Sequence, residues 1–211
     1  MAEEGRQDVV DAVMTPEDIR AFWFGDEADD AVVAQQRAAL WWRKDARTDE
    51  QVRLRFEQTV QAAARRELDA WSSTAPGCLT LILLTDQFPR NMYRDTPQAF
   101  AFDALARGWC RQGLRTDMHR LLRPIERVFF YLPLEHAESL EDQEHCVTLF
   151  RALVDELDAA RKPAFEGFLD YAIRHREVIA RFGRFPHRNR ILGRTSTPEE
   201  MAFLAQPGSS F

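Results

Sequence analysis

The chain has 211 residues, 45% hydrophobic and 11% aromatic, which supplies enough apolar side chain for a sizeable core in a single domain. A formal charge of −6 at pH 7 excludes a broad nucleic-acid or anionic-membrane surface, so any anion site has to be local. Cys78, Cys110 and Cys146 show no CxxC spacing and read as reduced thiols of a cytoplasmic protein; the acidic start is no signal peptide, and the apolar run Cys78 to Leu84 is far short of a membrane span.

After a tail over 1–14, Thr15-Pro16-Glu17-Asp18 offers a hydroxyl N-cap with proline at the first helical position, which predicts a helix over 15–24 that Gly25 stops. A second helix, 30–42, closes on Trp41-Trp42. Thr48-Asp49-Glu50-Gln51 is a capping box and opens a helix over 48–71, ended by the stretch from Ser72 to Gly77. The apolar segment 78–88 follows and stops at Phe88-Pro89. Thr96-Pro97-Gln98 opens 96–112, with Gly113 as its stop, and 117–131 is helical with a break near Pro124. Ser139-Leu140-Glu141-Asp142 opens 139–160, Gly183 ends 163–182, and Thr197-Pro198-Glu199-Glu200 opens 197–205, ahead of a tail over 206–211. No segment sustains strand alternation. The expectation is an all-α domain over 15–205, about nine helices in antiparallel hairpins, arranged as a tetratricopeptide-like α-solenoid or a compact multi-helix bundle. No repeat at a fixed period chooses between the two.

Polar residues on apolar faces point to a site. In 163–182, His175 falls inside the stripe Phe165, Phe168, Leu169, Ala172, Ile179 and Phe182, so it faces inward as a core histidine or as an acid–base group. Asp86 shares a face with Leu79, Ile82 and Leu83 and needs a cationic partner, for which Arg90 and Arg94 are nearest. Gln143 looks inward between Val147, Phe150 and Val154. His145 lies opposite, so its spacing from Glu141 is not that of a metal pair.

Two segments share a chemistry: Gln87-Phe88-Pro89-Arg90-Asn91-Met92-Tyr93-Arg94 and Gly183-Arg184-Phe185-Pro186-His187-Arg188-Asn189. Each reads as a proline-stiffened loop after an apolar helix, carrying arginine and asparagine. From Val178 to Pro198 there are five arginines and no acid, against the overall charge. Guanidinium forks suit carboxylates and phosphates; the alternative is pairing with acidic helices. The two loops are expected side by side, with Asp86, Gln87, Arg90, Asn91, Arg94, His136, His175, Arg184, His187, Arg188 and Asn189 binding a small anionic ligand or a peptide carboxylate. Two other readings stand beside this one: a metal-free enzyme with His136, flanked by Glu135 and Glu138, or His175 as acid or base, and a purely structural polar core. No HExxH, paired ExxH, Walker, Rossmann or GxSxG pattern is present, so neither a metal nor a cofactor is expected.

Phe22-Trp23-Phe24-Gly25, Trp41-Trp42, Leu81 to Asn91, Tyr131-Leu132-Pro133-Leu134-Glu135-His136 and Arg181 to Asn189 together resemble the mainly bacterial domain-of-unknown-function family 924, from about Phe22 to Leu204. The resemblance implies a helical fold similar to tetratricopeptide-repeat proteins, and no activity. The chain departs from it at Ala137, where members often carry serine after the histidine.

Overall fold

The caps foreseen at both ends of the chain set the helix starts in the computed structural model, which describes residues 14–209; the remainder of the two expected tails lies outside the described residues. At α1 (Pro16–Phe24) the Thr15 hydroxyl accepts from Asp18 N and the Asp18 carboxylate accepts from Thr15 N, while Gly25, at φ +73°, ends the helix by donating to Ala21 O. Asp29 caps α2 (Asp30–Trp42).

Several boundaries differ from the sequence reading. α3 (Ala46–Ala64) begins at Asp45 rather than Thr48, because the Asp45 carboxylate takes both the backbone N–H and the hydroxyl of Thr48 and so captures the capping role. It also ends early, where Arg66 adopts a left-handed φ of +66° ahead of a 3-10 turn over Asp69–Ser73. α4 (Ala75–Ile82) starts on the Thr74 hydroxyl, which places Gly77 inside the helix. Only glycine fits there, since a Cβ would stand 2.2 Å from Trp71 O.

The largest correction concerns Phe88-Pro89, read as a helix end. α4 runs without a break through a π turn at Leu83–Gln87 into α5 (Phe88–Met92). In the π turn the Phe88 N–H reaches back five residues to Leu83 O, and this wider winding accommodates Pro89, which has no N–H to continue an ordinary ladder. Counting that run as one, the described residues hold nine helices and no strand.

Downstream, the first turn of the segment expected at 96–112 winds as a 3-10 turn, Pro97–Phe100, with the Thr96 hydroxyl donating to Tyr93 O instead of capping. α6 (Asp103–Arg115) contains Gly113 rather than ending at it; a Cβ there would lie 2.4 Å from the Phe130 ring, and the chain turns instead at Asp117, φ +53°. Pro124 opens α7 (Pro124–Glu135) instead of breaking a helix, and α7 continues past Tyr131 with Pro133 inside it. α8 (Leu140–Glu156) starts on Ser139 as expected and stops short of 160, where Asp158 accepts from Arg161 N in the next turn. α9 (Lys162–Phe182) ends at Gly183, φ +70°, and a 3-10 turn at Pro186–Arg188 leads towards α10 (Pro198–Leu204), opened by the Thr197–Glu200 capping box.

From Ile125 to Glu135 every residue of α7 is buried, including Glu126, Arg127 and Glu135, so α7 is the central element, covered on every side. Trp23, Phe24 and Trp41 pack around Phe129, and one apolar cluster draws on α1 to α9. The result is a compact multi-helix arrangement. It brings the C-terminal end of α7, the π turn and the second half of α9 to one place.

Candidate functional site

Asp86 projects from the π turn and is wholly buried. Its two oxygens lie 2.8 and 3.0 Å from His136 Nδ1, Arg90 Nη1 stands 3.2 Å away, and Gln87 Nε2 donates to it. Burial alone would push this carboxyl up, but Arg90 and His136 outweigh it and hold Asp86 well below the usual carboxylate range. An anionic Asp86 can only accept, so it fixes His136 as the tautomer with the proton on Nδ1 and a lone pair on Nε2, to which no group among the described residues is bonded. Burial and Arg90 keep the imidazole below its ordinary value and therefore neutral at pH 7.

Arg90 is the partner expected for Asp86; Arg94 is not. Arg94 Nε donates to Asp49 at 2.6 Å, and Asn91 Nδ2 donates to the other oxygen of the same carboxylate, so these two residues brace α3 against α5. Arg90 is fully engaged: Nη1 donates to Asp86 O at 2.7 Å, and the two Nη atoms grip Asp103 at 2.9 and 3.1 Å. Asp103 was not legible in the sequence, where it passes for an ordinary acid inside the helix expected over 96–112.

Arg188 reaches the same place from the other segment. Nη1 donates to His136 O at 3.0 Å and stands 3.7 Å from Asp103, while the guanidinium lies between the rings of Phe185 and Phe100, 4.4 and 4.8 Å from their centroids. Its Nε is buried with no hydrogen-bond partner. Burial and the neighbouring Arg90 pull the side chain down to about 10, which leaves it cationic at neutral pH.

His175 is buried, with Nδ1 2.8 Å from Tyr171 O and 3.3 Å from Glu135 Oε1; its ring centroid is 6.4 Å from that of His136. Burial pushes His175 down to about 3 and His187 to about 4, so both are neutral. Glu135, considered in the sequence only as a neighbour of His136, is pushed up to about 8 by burial and by the charge of Asp86.

Two predicted site residues lie elsewhere. Arg184 grips Glu200 at 2.7 and 2.9 Å, and Asn189 donates to Ser196 Oγ and Glu200 while accepting from Arg194, so both tie the second segment to α10. Arg184 and the Thr197 N–H hold Glu200 down at about 2, against its burial. The acid-free stretch thus finds its counter-charges at Glu199, Glu200 and Glu138.

Gln87, Arg90, Asn91, Arg94, His136, His175, His187 and Arg188 line one cavity of about 820 Å³. Lys44, Asp95 and Arg190 add charge to its wall, and Trp41, Trp42, Leu132, Phe150 and Phe168 form an apolar side. That apolar side was missed because Trp41-Trp42 and Phe168 fit the helix pattern of core residues. Among the described residues no cluster of three or more histidine, cysteine or acidic side chains is arranged to hold a metal ion, and no helix is long and apolar enough to cross a membrane.

Residues 19–208 match the family described as "Bacterial protein of unknown function (DUF924)". The chain belongs to this family. A solved structure of a protein of unknown function from Agrobacterium tumefaciens is 39% identical with a TM-score of 0.70, and the likeness covers 84% of this chain and 99% of that one. No curated protein matches the chain. The whole cavity lies within the span matched to DUF924.

Proposed function

We propose that the cavity binds a small anionic ligand, held by Arg188 beside Arg90 and His136. The observation that carries this reading is the incomplete pairing of Arg188: a buried guanidinium with a single hydrogen bond and an orphaned Nε. Burying a charge is costly unless it is paired, and Asp103, the nearest carboxylate, is already gripped by Arg90. An anion in the cavity, which Arg188 lines, supplies a counter-charge to the guanidinium through its Nη side, Nε itself being enclosed. Lys44, Arg90, Arg94, Arg188 and Arg190 line it against Asp95 and a Glu135 that stays protonated near neutral pH, in a chain of net charge −6. The volume suits a small molecule or the end of a peptide.

A thermal-shift series with carboxylates and phosphates tests the reading, because a ligand that binds only the folded state raises its melting temperature with concentration. Arg188→Gln is expected to remove the response without unfolding the protein. If no anion stabilises the wild type, the reading fails.

A second reading, a metal-free enzyme, is favoured by the Asp86–His136 pair. Asp86 orients the imidazole and leaves Nε2 as a base beside a guanidinium that can stabilise developing negative charge. Among the described residues the cavity wall offers no serine, threonine or cysteine, so the atom losing its proton to Nε2 would belong to Tyr171, to water or to the ligand. His136→Gln would then abolish turnover while sparing ligand affinity; loss of affinity with no turnover in either protein would contradict it.

A further inference from the structure

The cavity has two unlike sides, and their layout along α9 constrains what can fill it. Ala164, Gly167, Phe168, Tyr171 and His175 all line it, on one face of the helix. At 1.5 Å per residue, Phe168 and His175 are separated by about 10 Å along the axis. At the Phe168 end stands Trp42, with ring centroids 6.2 Å apart; Trp42 stacks on Phe129 at 5.6 Å yet stays 48% exposed. At the His175 end lie His136 and Arg188. Tyr171 lies between the two, and at the Phe168 end Gly167 leaves the wall open: a Cβ built there would meet nothing within 4 Å.

The charge available to a ligand is also limited. Arg90 is committed to Asp86 and Asp103, Arg94 to Asp49, and Lys44 to Asp95, and Arg190 is solvent-exposed, which leaves the guanidinium of Arg188 as the buried donor with capacity to spare. One planar fork matches one carboxylate better than it matches a dianion.

Building on the anion-site reading above, we infer that the ligand is a monocarboxylate with an apolar body, its head on Arg188 and its body laid along α9 against Trp42 and Phe168. A ring or an alkyl chain spanning the distance from Arg188 to Trp42 covers the exposed indole and fills the space beside Gly167. The ordering of head and body follows from the positions of His175 and Phe168 on the same helix face.

The test compares acetate, inorganic phosphate, 3-phenylpropionate and the uncharged 3-phenylpropanol, by calorimetry and by tryptophan fluorescence. 3-Phenylpropionate is expected to bind about tenfold or more tightly than acetate or phosphate and to change the tryptophan signal. Gly167→Leu, which projects a side chain into the open space and replaces a mid-helix glycine, is expected to bring 3-phenylpropionate down to the affinity of acetate while acetate itself is unaffected. Trp42→Ala checks the same wall by a second route and is expected to reduce the preference. Equal binding of acetate and 3-phenylpropionate, tighter binding of phosphate, equal binding of the alcohol, or a preference that survives both variants would overturn the inference. Of these, equal binding of the two carboxylates leaves the anion site standing. If neither carboxylate nor phosphate binds the wild type, the anion site itself falls.

Discussion

The segments 87–94 and 183–189 carry nearly the same residues and are built in opposite ways. In the first, proline sits inside a continuous helix because a π turn makes room for it, and Arg90 is bonded through three contacts to its surroundings. In the second, Gly183 ends the helix, a short 3-10 turn follows, and Arg188 reaches the same Asp103 with its Nε unbonded. One arginine organises the site and the other is left with binding capacity. Composition alone does not separate these roles; what separates them is how many acceptors the local backbone brings within reach.

The sharpest way to break this comparison is Asp86→Ala. It strips the carboxylate from a buried arginine and histidine, and a loss of roughly 3–5 kcal/mol in urea unfolding is expected, as for other broken buried pairs. A loss below about 0.5 kcal/mol would mean that the pair contributes nothing to the fold. Arg90→Gln against Arg188→Gln comes next. The first is expected to cost about 3 kcal/mol, because it leaves Asp86 and Asp103 short of their counter-charge. The second removes a cation with one hydrogen bond and is expected to cost under about 1 kcal/mol, while ending the response to anions. Equal costs would erase the distinction between organiser and donor.

A pH series sharpens the picture further. The ordinary Glu value is 4.5 and Glu135 is pushed up to about 8, so between those limits the native state holds a proton that the unfolded chain has lost. Glu135 therefore lowers stability as pH rises through that window, by up to about 1.4 kcal/mol per pH unit. Glu135→Gln is expected to gain stability relative to wild type from about pH 5 to about pH 8, read as a growing difference in melting temperature. His175 and His187 act in the opposite direction: pushed down to about 3 and 4, they refuse protons that the unfolded chain takes below 6.5, so stability falls as the solution is acidified. A flat difference between Glu135→Gln and wild type would show that Glu135 ionises normally. The smallest effect is expected for Arg184→Gln, whose partner Glu200 lies away from the cavity. Its response to anions should equal that of the wild type, and a lost response would return Arg184 to the site.

Much of the fold was legible in the sequence, because its signals are local. Thr15, Ser139 and Thr197 cap where their hydroxyls predict, and Gly25 and Gly183 close helices at positive φ. The errors arose where a tertiary contact chose between two local options. Gly113 reads as a stop and is a gap for Phe130; Thr48 reads as a cap and is taken by Asp45. The π turn left no trace, since the apolar run Leu81 to Leu84 is buried in either winding. Within the site, the inward direction of Asp86, His175 and Gln143 followed from helical phase alone, whereas Asp103 and the Trp41-Trp42 wall enter from other helices and depend on packing.

The π turn has a consequence for chain length. A helix carrying one extra residue between two regular stretches has halves whose angular settings are independent: 75–82 is aligned to the core, while 88–92 keeps Phe88 in the core and turns Arg90 and Asn91 to the cavity. Deleting a single residue from Leu83–Gln87 would restore an ordinary helix and swing one half relative to the other by about 100°. Every side chain type could be kept, and Asp86 could still meet an arginine, yet Arg90 and Asn91 would no longer face the partners they now hold. The number of residues in this stretch is therefore as much a requirement of the site as their identity.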